Sequence, residues 1–249
     1  MRVALFVTCL GDALAPRVAQ ATVALLERLG VTVEFPQAQT CCGQMHVNTG
    51  YVREARSLVS RHVDVFEPYD AIVAPSASCV GSVRHQHAVV ARACGDDALA
   101  TRAAAVGART YELSELLVDV LGVVDVGATF AHRVTYHPTC HSLRLLRVDD
   151  RPLRLLRAVR GLELVELPAA EQCCGFGGTF SLKNADVSGA MLADKLDRVD
   201  ESGADVVTAL DASCLLQLAG GLSRREVARG ARPVRALHLA EILASTGER

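Results

Sequence analysis

The motif Cys41-Cys42-Gly43 occurs a second time in this chain, as Cys173-Cys174-Gly175. One cysteine flanks each copy on either side, after 31 and 35 intervening residues in the first and 32 and 38 in the second: Cys9 and Cys79, then Cys140 and Cys214. Eight of the nine cysteines therefore belong to two matched sets, and Cys94 is left over. Thiolates gathered in fours usually hold a metal, so the pattern predicts two such gatherings.

The near-constant offset between the two sets indicates an internally duplicated fold. Matched cysteines are 131, 132 and 135 residues apart at the three corresponding positions. One supersecondary unit built twice produces such spacing. We therefore predict two cysteine-rich domains, 1–125 and 126–249, joined near residues 122–131, where glycine and small residues interrupt the pattern.

Short apolar runs alternate with segments of helical spacing in both halves. Strands are expected at residues 3–8, 31–35, 71–74, 134–137, 162–167 and 205–209. Helices are expected at residues 18–29, 51–66, 80–93, 96–106, 152–159, 185–199 and 237–243. Such alternation is typical of βαβ units with right-handed crossovers. The sequence predicts an α/β fold of two pseudo-repeated halves, each a small, mostly parallel sheet with flanking helices.

The cysteines of both sets follow the predicted strands at their C-terminal ends. In open parallel sheets, ligands bind beyond the carboxyl ends of the strands. Cysteines that are far apart in sequence are therefore expected to meet at one edge of each sheet.

Composition excludes several classes of function. The formal net charge is −2, tryptophan is absent and only 4% of the residues are aromatic, which does not fit nucleic-acid binding. No apolar stretch approaches the roughly 20 residues of a membrane span. The apolar N-terminus is too short for a signal peptide, and we expect a cytoplasmic protein with reduced thiols.

Four thiolates at one site suit zinc or an iron–sulfur cluster. Structural zinc sites usually use C-x-x-C knuckles, which are absent, whereas adjacent cysteines suit two irons of one cluster. Glycines in the loops permit an unusual backbone there: Gly43, Gly175, Gly177 and Gly178. The alternative to a ligand role for any single cysteine is burial in the apolar core, and we favour this alternative for Cys94.

Charged side chains near the second motif are candidates for neutralising an anionic group. Arg144, Lys183 and Lys195 have this position in the sequence, although such residues are more often solvated. No G-x-G-x-x-G or P-loop motif is present, so binding of a nucleotide cofactor by this chain is not expected.

Histidines raise a second class of chemistry. His137 and His141 flank Cys140, and a nucleophilic cysteine needs such a base. The first set has no histidine beside Cys9, so the duplicated chemistry does not require one. His46 adjoins the first motif, and we predict surface positions for two further histidines on a helix, His85 and His87.

The two motif loops, 39–44 and 173–180, resemble those of the cysteine-rich "CCG" domain proteins. Nearly end to end, the chain is similar to the lactate utilization protein A family. The stretches that carry this likeness are residues 5–10, 111–113, 121–123 with 125–128, 140–141 and 181–184.

The resemblance implies an iron–sulfur subunit of a complex that oxidises L-lactate to pyruvate with two partners, a ferredoxin-like iron–sulfur protein and a third protein of the same operon. It implies these ligands: Cys9, Cys41, Cys42 and Cys79, then Cys140, Cys173, Cys174 and Cys214. Such a chain is cytoplasmic, or peripheral to the inner face of the membrane through its partners. No catalytic base is assigned.

Heterodisulfide reductase, a relative of the family, carries one more cysteine three residues before the last of each set. Here Ser76 and Asp211 occupy those positions, which favours an ordinary [4Fe–4S] cluster, with one or two clusters per chain. Alternatively, the side-chain oxygens of Ser76 and Asp211 are additional ligands of the cluster. A thiol/disulfide reductase-type subunit acting at the cluster and a zinc-binding scaffold are the alternative functions.

Overall fold

The computed structural model describes residues 1–229 and 233–247. The chain forms two compact units, which we call unit 1 (residues 1–121) and unit 2 (residues 122–249). Each unit contains one four-stranded parallel sheet with flanking helices. The predicted α/β class with two pseudo-repeated halves is confirmed.

Unit 1 is built on a sheet of strand order β2-β1-β3-β4. Its strands are β1 (Arg2–Leu5), β2 (Thr32–Glu34), β3 (Ile72–Ala74) and β4 (Thr110–Glu112). Its helices are α1 (Cys9–Leu14), α2 (Pro16–Arg28), α3 (Gln44–Asn48), α4 (Val52–Phe66), α5 (Ala77–His85), α6 (His87–Ala93), α7 (Asp97–Ala108) and α8 (Leu113–Glu115). The two central strands, β1 and β3, are buried apart from Arg2, because helices cover both faces of a parallel sheet.

Unit 2 repeats this order as β6-β5-β7-β8. Its strands are β5 (Arg133–Tyr136), β6 (Glu163–Val165), β7 (Val206–Ala209) and β8 (Arg235–His238). Its helices are α9 (Arg151–Arg157), α10 (Phe180–Lys183), α11 (Ala185–Ser202), α12 (Ala212–Arg229) and α13 (Leu239–Ala244). All strand pairs in both sheets are parallel.

The duplication extends to the buried faces of single helices. The buried positions of α4 are Ala55, Val59, His62, Val63 and Phe66. Adding 133 to each number gives the buried positions of α11: Ser188, Leu192, Lys195, Leu196 and Val199. The spacing places each set on one helical face against its sheet. His62 and Lys195 are therefore structural equivalents.

The last strand of each sheet, β4 and β8, was not expected from the sequence. The predicted helix over residues 237–243 is wrong at its start, because residues 237 and 238 belong to β8 and the helix begins at Leu239. The side chain of His238 accepts a hydrogen bond from the amide of Ala240, so strand passes into helix without a turn residue. π-Helical turns at Leu116–Val120 and His141–Leu146 were also not predicted.

Within residues 1–229 and 233–247, no helix combines the length and the apolar composition that a bilayer crossing needs.

Candidate metal centres

In unit 1, the four cysteines meet because three segments end at the same sheet edge. Strands β1 and β3 are parallel neighbours, so their carboxyl ends lie side by side. Cys9 opens α1 after β1, and Cys79 lies in the first turn of α5 after β3. Cys41 and Cys42 follow β2 in the loop that leads to α3.

The sulfurs of unit 1 form a chain of contacts. The Cys9 thiol donates to the Cys41 sulfur at 3.4 Å. Cys41 in turn hydrogen-bonds Cys42, and Cys42 hydrogen-bonds Cys79. The amide of Gly43 also donates to the Cys41 sulfur, at 3.4 Å. All four sulfurs are thus within reach of one bound group.

Unit 2 repeats this chain of contacts with its own cysteines. Cys140 hydrogen-bonds Cys173, Cys173 hydrogen-bonds Cys174, and Cys174 hydrogen-bonds Cys214. The amide of Gly175 donates to the Cys173 sulfur at 3.4 Å, as Gly43 does in unit 1. The structure therefore brings together both sets of four that the sequence grouped.

Within each set, ionisation of one thiol opposes ionisation of its neighbours. Hydrogen bonds from Cys42 and Cys9 lower the pKa of Cys41, whereas the hydrogen bond to Cys41 raises the pKa values of Cys9 and Cys42. Four thiolates at such separations require a cation among them, because their mutual repulsion is otherwise uncompensated. Metal binding at these sites would release protons.

The thiols of unit 2 behave in the same way. The pKa of Cys173 is lowered by the hydrogen bonds from Cys140 and Cys174, and the pKa values of those two are raised by the bond to Cys173. Backbone amides also act on the sulfurs of each set, those of Gly43 and Leu10 in unit 1 and those of Gly175 and Phe176 in unit 2. Two such sets of four soft donors fit an iron–sulfur cluster or zinc.

The motif glycines have different steric roles in the two units. Gly43, Gly175, Gly177 and Gly178 all have positive φ. A Cβ on Gly175 would lie 2.5 Å from the carbonyl oxygen of Ser188 in α11, so no other residue fits there. A Cβ on Gly43 would lie 3.5 Å from Leu58, an ordinary contact. Glycine is therefore needed at position 175 because the motif loop packs directly against helix α11 there.

Ser76 and Asp211 lie at the sulfur sites and already make hydrogen bonds. The Ser76 hydroxyl caps α5 by accepting from the Cys79 amide at 3.3 Å. Asp211 accepts a hydrogen bond from the Thr139 hydroxyl, and its charge helps raise the pKa of Cys140. The described contacts therefore place both side chains next to cysteines of the two sets.

Two histidines of unit 2 lie at the sulfurs. His137 is 1% exposed, and one of its ring nitrogens lies with the sulfurs of Cys174 and Cys214, all within 4.8 Å of one another. Burial, and then the charge of Lys195, lower the pKa of His137 to about 4, so the imidazole is neutral at pH 7. His141 Nδ1 lies 3.5 Å from the Cys140 sulfur. Neutral imidazole is a good ligand for zinc.

Arg144 and Lys183 are exposed, and neither makes a described contact with a sulfur. The guanidinium of Arg144 approaches the carbonyl of Glu171 at 3.5 Å. Lys195 is different, because it is completely buried and donates to the carbonyls of Ala169 and Ala170, at 3.0 Å each.

Sequence reasoning missed two histidines of unit 1. The surface position predicted for His87 is wrong: it is 0% exposed, and its Nε2 lies 2.8 Å from the carbonyl of Cys42. His62, 1% exposed, packs against His87 and Phe6 with ring centroids 5.0 and 4.8 Å apart. Burial lowers the pKa values of both imidazoles. The helical spacing of His62 with Val59 and Phe66 was the available signal.

Comparison with known proteins agrees with this duplicated architecture. A family model described as a cysteine-rich domain matches the chain twice, over residues 3–84 and 134–219. Lactate utilization protein A of Geobacillus kaustophilus strain HTA426 is 47% identical over 243 residues, which cover 98% of each chain. The protein of that name from Bacillus subtilis strain 168 is 43% identical over 245 residues, covering 98% of this chain and 100% of the relative.

Among solved structures, a hypothetical protein from Helicobacter pylori matches with a TM-score of 0.64 at 12% identity. The match covers 100% of this chain and 49% of that one, so this chain spans about half of its length. The likeness concerns the fold alone.

Proposed function

The chain belongs to the lactate utilization protein A family, and from that premise we propose that it is an iron–sulfur electron-transfer subunit. Its two units each hold one cluster, of the [4Fe–4S] type, within a complex that oxidises L-lactate to pyruvate. The names of the relatives support the role in lactate utilization. The sulfur geometry supports the electron-transfer part.

The observation that carries the proposal is the repeated chain of four sulfurs at the same sheet edge of both units. The proposed ligands are Cys9, Cys41, Cys42 and Cys79 in unit 1, and Cys140, Cys173, Cys174 and Cys214 in unit 2. Adjacent cysteines direct their side chains differently, which suits separate irons of one cluster better than two corners of a zinc tetrahedron.

The protein's own contribution is to orient the thiolates and limit their contact with water. Cys42 and Cys174 are 3% and 2% exposed, whereas Cys9 is exposed. The amides of Gly43 and Gly175 donate to one sulfur in each set, which offsets negative charge there. A bound iron–sulfur cluster would supply one-electron transfer at this position.

The substrate reaction itself is assigned to partner subunits. Oxidation of lactate to pyruvate releases two electrons and two protons, and two one-electron centres in one chain match that electron count. Arg144 and Lys183 are exposed, and we infer that the hydroxy acid binds on a partner subunit. The proposed partners are a ferredoxin-like iron–sulfur protein and a third operon-encoded protein, all in the cytoplasm.

Zinc in unit 2 is the second candidate, because His137, Cys174 and Cys214 offer three donor atoms within 4.8 Å. A chain with zinc at this site would serve the complex as a scaffold without carrying electrons. Loss of the metal would then unfold unit 2.

Metal and sulfide analysis of anaerobically purified protein distinguishes these functions. We expect about eight iron and eight acid-labile sulfide per chain, as two four-iron clusters require. The reduced protein should give an EPR signal from each centre. One or two zinc per chain without sulfide would contradict the electron-transfer proposal and support the scaffold.

A further inference from the structure

Lys195 lies directly beneath the loop that carries the second cysteine motif. It is 0% exposed in the middle of α11, between the core residues Leu192 and Val199. Its ammonium donates to two successive carbonyls, those of Ala169 and Ala170, at 3.0 Å each. These carbonyls precede the first cysteine of the motif by only a few residues, so the lysine fixes the start of the loop.

The buried ammonium of Lys195 forms no ion pair within the described part of the chain. Among residues 1–229 and 233–247, no aspartate or glutamate forms an ion pair with it, whereas arginines in that part of the chain do form such pairs. The anionic groups that act on it are the sulfurs of Cys174 and Cys173. Burying a cation is unfavourable unless an anion compensates it. The sulfurs are the anionic groups that act directly on Lys195, and the buried carboxylate of Asp211 lies at the same site.

Unit 1 has no charged residue at the equivalent buried position. Its equivalent residue, His62, is buried among the rings of Phe6, Phe66 and His87. Burial keeps the His62 imidazole neutral. The cation of this helix that reaches the first motif loop is the neighbouring Arg61, which is exposed and donates to the carbonyl of Ala38 at 3.0 Å. The two units thus share their sulfur geometry, but only unit 2 has a buried charge at this position of the helix.

We propose that Lys195 is a positioning residue that compensates the negative charge of the group bound by the unit 2 cysteines and thereby raises its reduction potential. The inference rests on the proposed iron–sulfur function. Reduction adds one electron to the bound group, with no bond made or broken and no proton required. A fixed positive charge nearby stabilises the more negative, reduced state. Asp211 acts in the opposite direction, so the effect must be isolated by substitution at Lys195.

The test is an anaerobic redox titration with dithionite and mediators, followed by EPR, with iron and sulfide counted in every sample. Lys195→Gln keeps a donor for the two carbonyls and removes the charge, whereas Lys195→Arg keeps the charge. His62→Gln in unit 1 is the matched control. The Lys195 variants are also made in a Cys42→Ser background, in which unit 2 has the only complete set of four cysteines. The EPR signal that remains in this background is assigned to unit 2.

We expect Lys195→Gln to move the unit 2 midpoint potential to a more negative value at unchanged iron content. Lys195→Arg should leave it close to the wild-type value, and His62→Gln should shift neither centre. Loss of unit 2 iron in the glutamine variant but not in the arginine variant would also support compensation by charge.

Two results would overturn the inference while leaving the proposed function intact. One is an unchanged potential in a fully loaded Lys195→Gln protein. The other is equal loss of unit 2 iron in the glutamine and arginine variants, since Lys195 would then act through the fit of its side chain and not through its charge. Wild-type protein without iron and sulfide would instead overturn the proposed function, and this inference with it.

Discussion

Unit 1 and unit 2 have the same strand order and the same chain of sulfur contacts, yet they differ in what supports the sulfurs. Beneath the first motif lies a cluster of rings, formed by Phe6, His62, Phe66 and His87. Beneath the second lies the buried ammonium of Lys195. Duplication has kept the geometry of the sulfurs, while the packing and the charge around them have diverged.

The largest expected effect concerns the ring cluster that is special to unit 1. Phe66→Ala removes a fully buried ring that contacts Phe6 at 5.4 Å between centroids, and it should lower the free energy of unfolding by about 4 kcal/mol. The equivalent change in unit 2, Val199→Ala, removes only two methyl groups and should cost about 2 kcal/mol.

Urea unfolding followed by far-UV circular dichroism measures both values. Val89→Ala, at a 58% exposed position, is the control and should change little. Equal losses in the two core variants would show that the ring cluster adds no packing energy to unit 1.

The second comparison concerns the motif glycines. Gly175→Ala places a Cβ 2.5 Å from the Ser188 carbonyl at positive φ, and it should destabilise the protein by roughly 3 kcal/mol. Gly43→Ala has the same backbone strain without the clash and should cost about 1 kcal/mol. Thermal unfolding provides the measurement, and Gly189→Ala, in open space on α11, should be neutral or stabilising. The comparison fails if Gly43→Ala is the more damaging variant.

The third comparison concerns the capping boxes that follow the last strand of each sheet, Glu112 with Glu115 in unit 1 and His238 with Glu241 in unit 2. In unit 1, Arg84 makes a two-pronged contact with Glu115 at 2.9 and 2.8 Å, and it also donates to the Thr110 carbonyl. The matching box of unit 2 joins His238 to Glu241, and no arginine of the described residues forms an ion pair with Glu241. The pair in unit 1 is mostly shielded from water, so its loss should be costly.

Arg84→Met should therefore cost about 2 kcal/mol, with little dependence on salt. Arg102→Met, which removes an exposed ion-pair network, should cost less than about 1 kcal/mol and lose its effect in high salt. Denaturant titrations at low and high sodium chloride measure both. A salt-sensitive loss at Arg84 would mean that water reaches the pair.

The smallest comparison is a dependence on pH. Burial lowers the pKa of His62 well below its unfolded value near 6.5, so the unfolded state binds the proton more readily. The stability from this neutral imidazole is complete above pH 6.5 and is lost as the pH falls towards the folded pKa. Below pH 6, His62→Leu should flatten the slope of unfolding free energy against pH by about 1.4 kcal/mol per pH unit.

Unfolding titrations between pH 7.5 and 5 give this slope. His85→Leu, which removes an exposed histidine from the same unit, serves as the control. An unchanged slope in the His62 variant would show that the imidazole is protonated or solvated in the folded protein.

The sequence was a good guide to features that follow a period. Cysteine offsets and strand–helix alternation predicted the duplicated fold, because a parallel sheet places the ends of its strands at one edge. Strands β4 and β8 escaped prediction because they are three and four residues long and pass directly into helices.

Buried polar residues were harder to find from the sequence. His87 follows two polar residues, His85 and Gln86, yet it begins a new helix after Gln86 and is completely buried. The burial of Lys195 becomes visible only when α11 is aligned with α4, since lysine alone predicts a surface position.

The central claim is that each unit holds its own centre, and single-unit cysteine variants test it most directly. Cys42→Ser and Cys174→Ser each alter one buried ligand of one unit. Each variant should retain about four iron and four sulfide, and the double variant should retain none. If one variant loses all of the iron and the other loses none, only one unit binds a cluster, and the claim is contradicted.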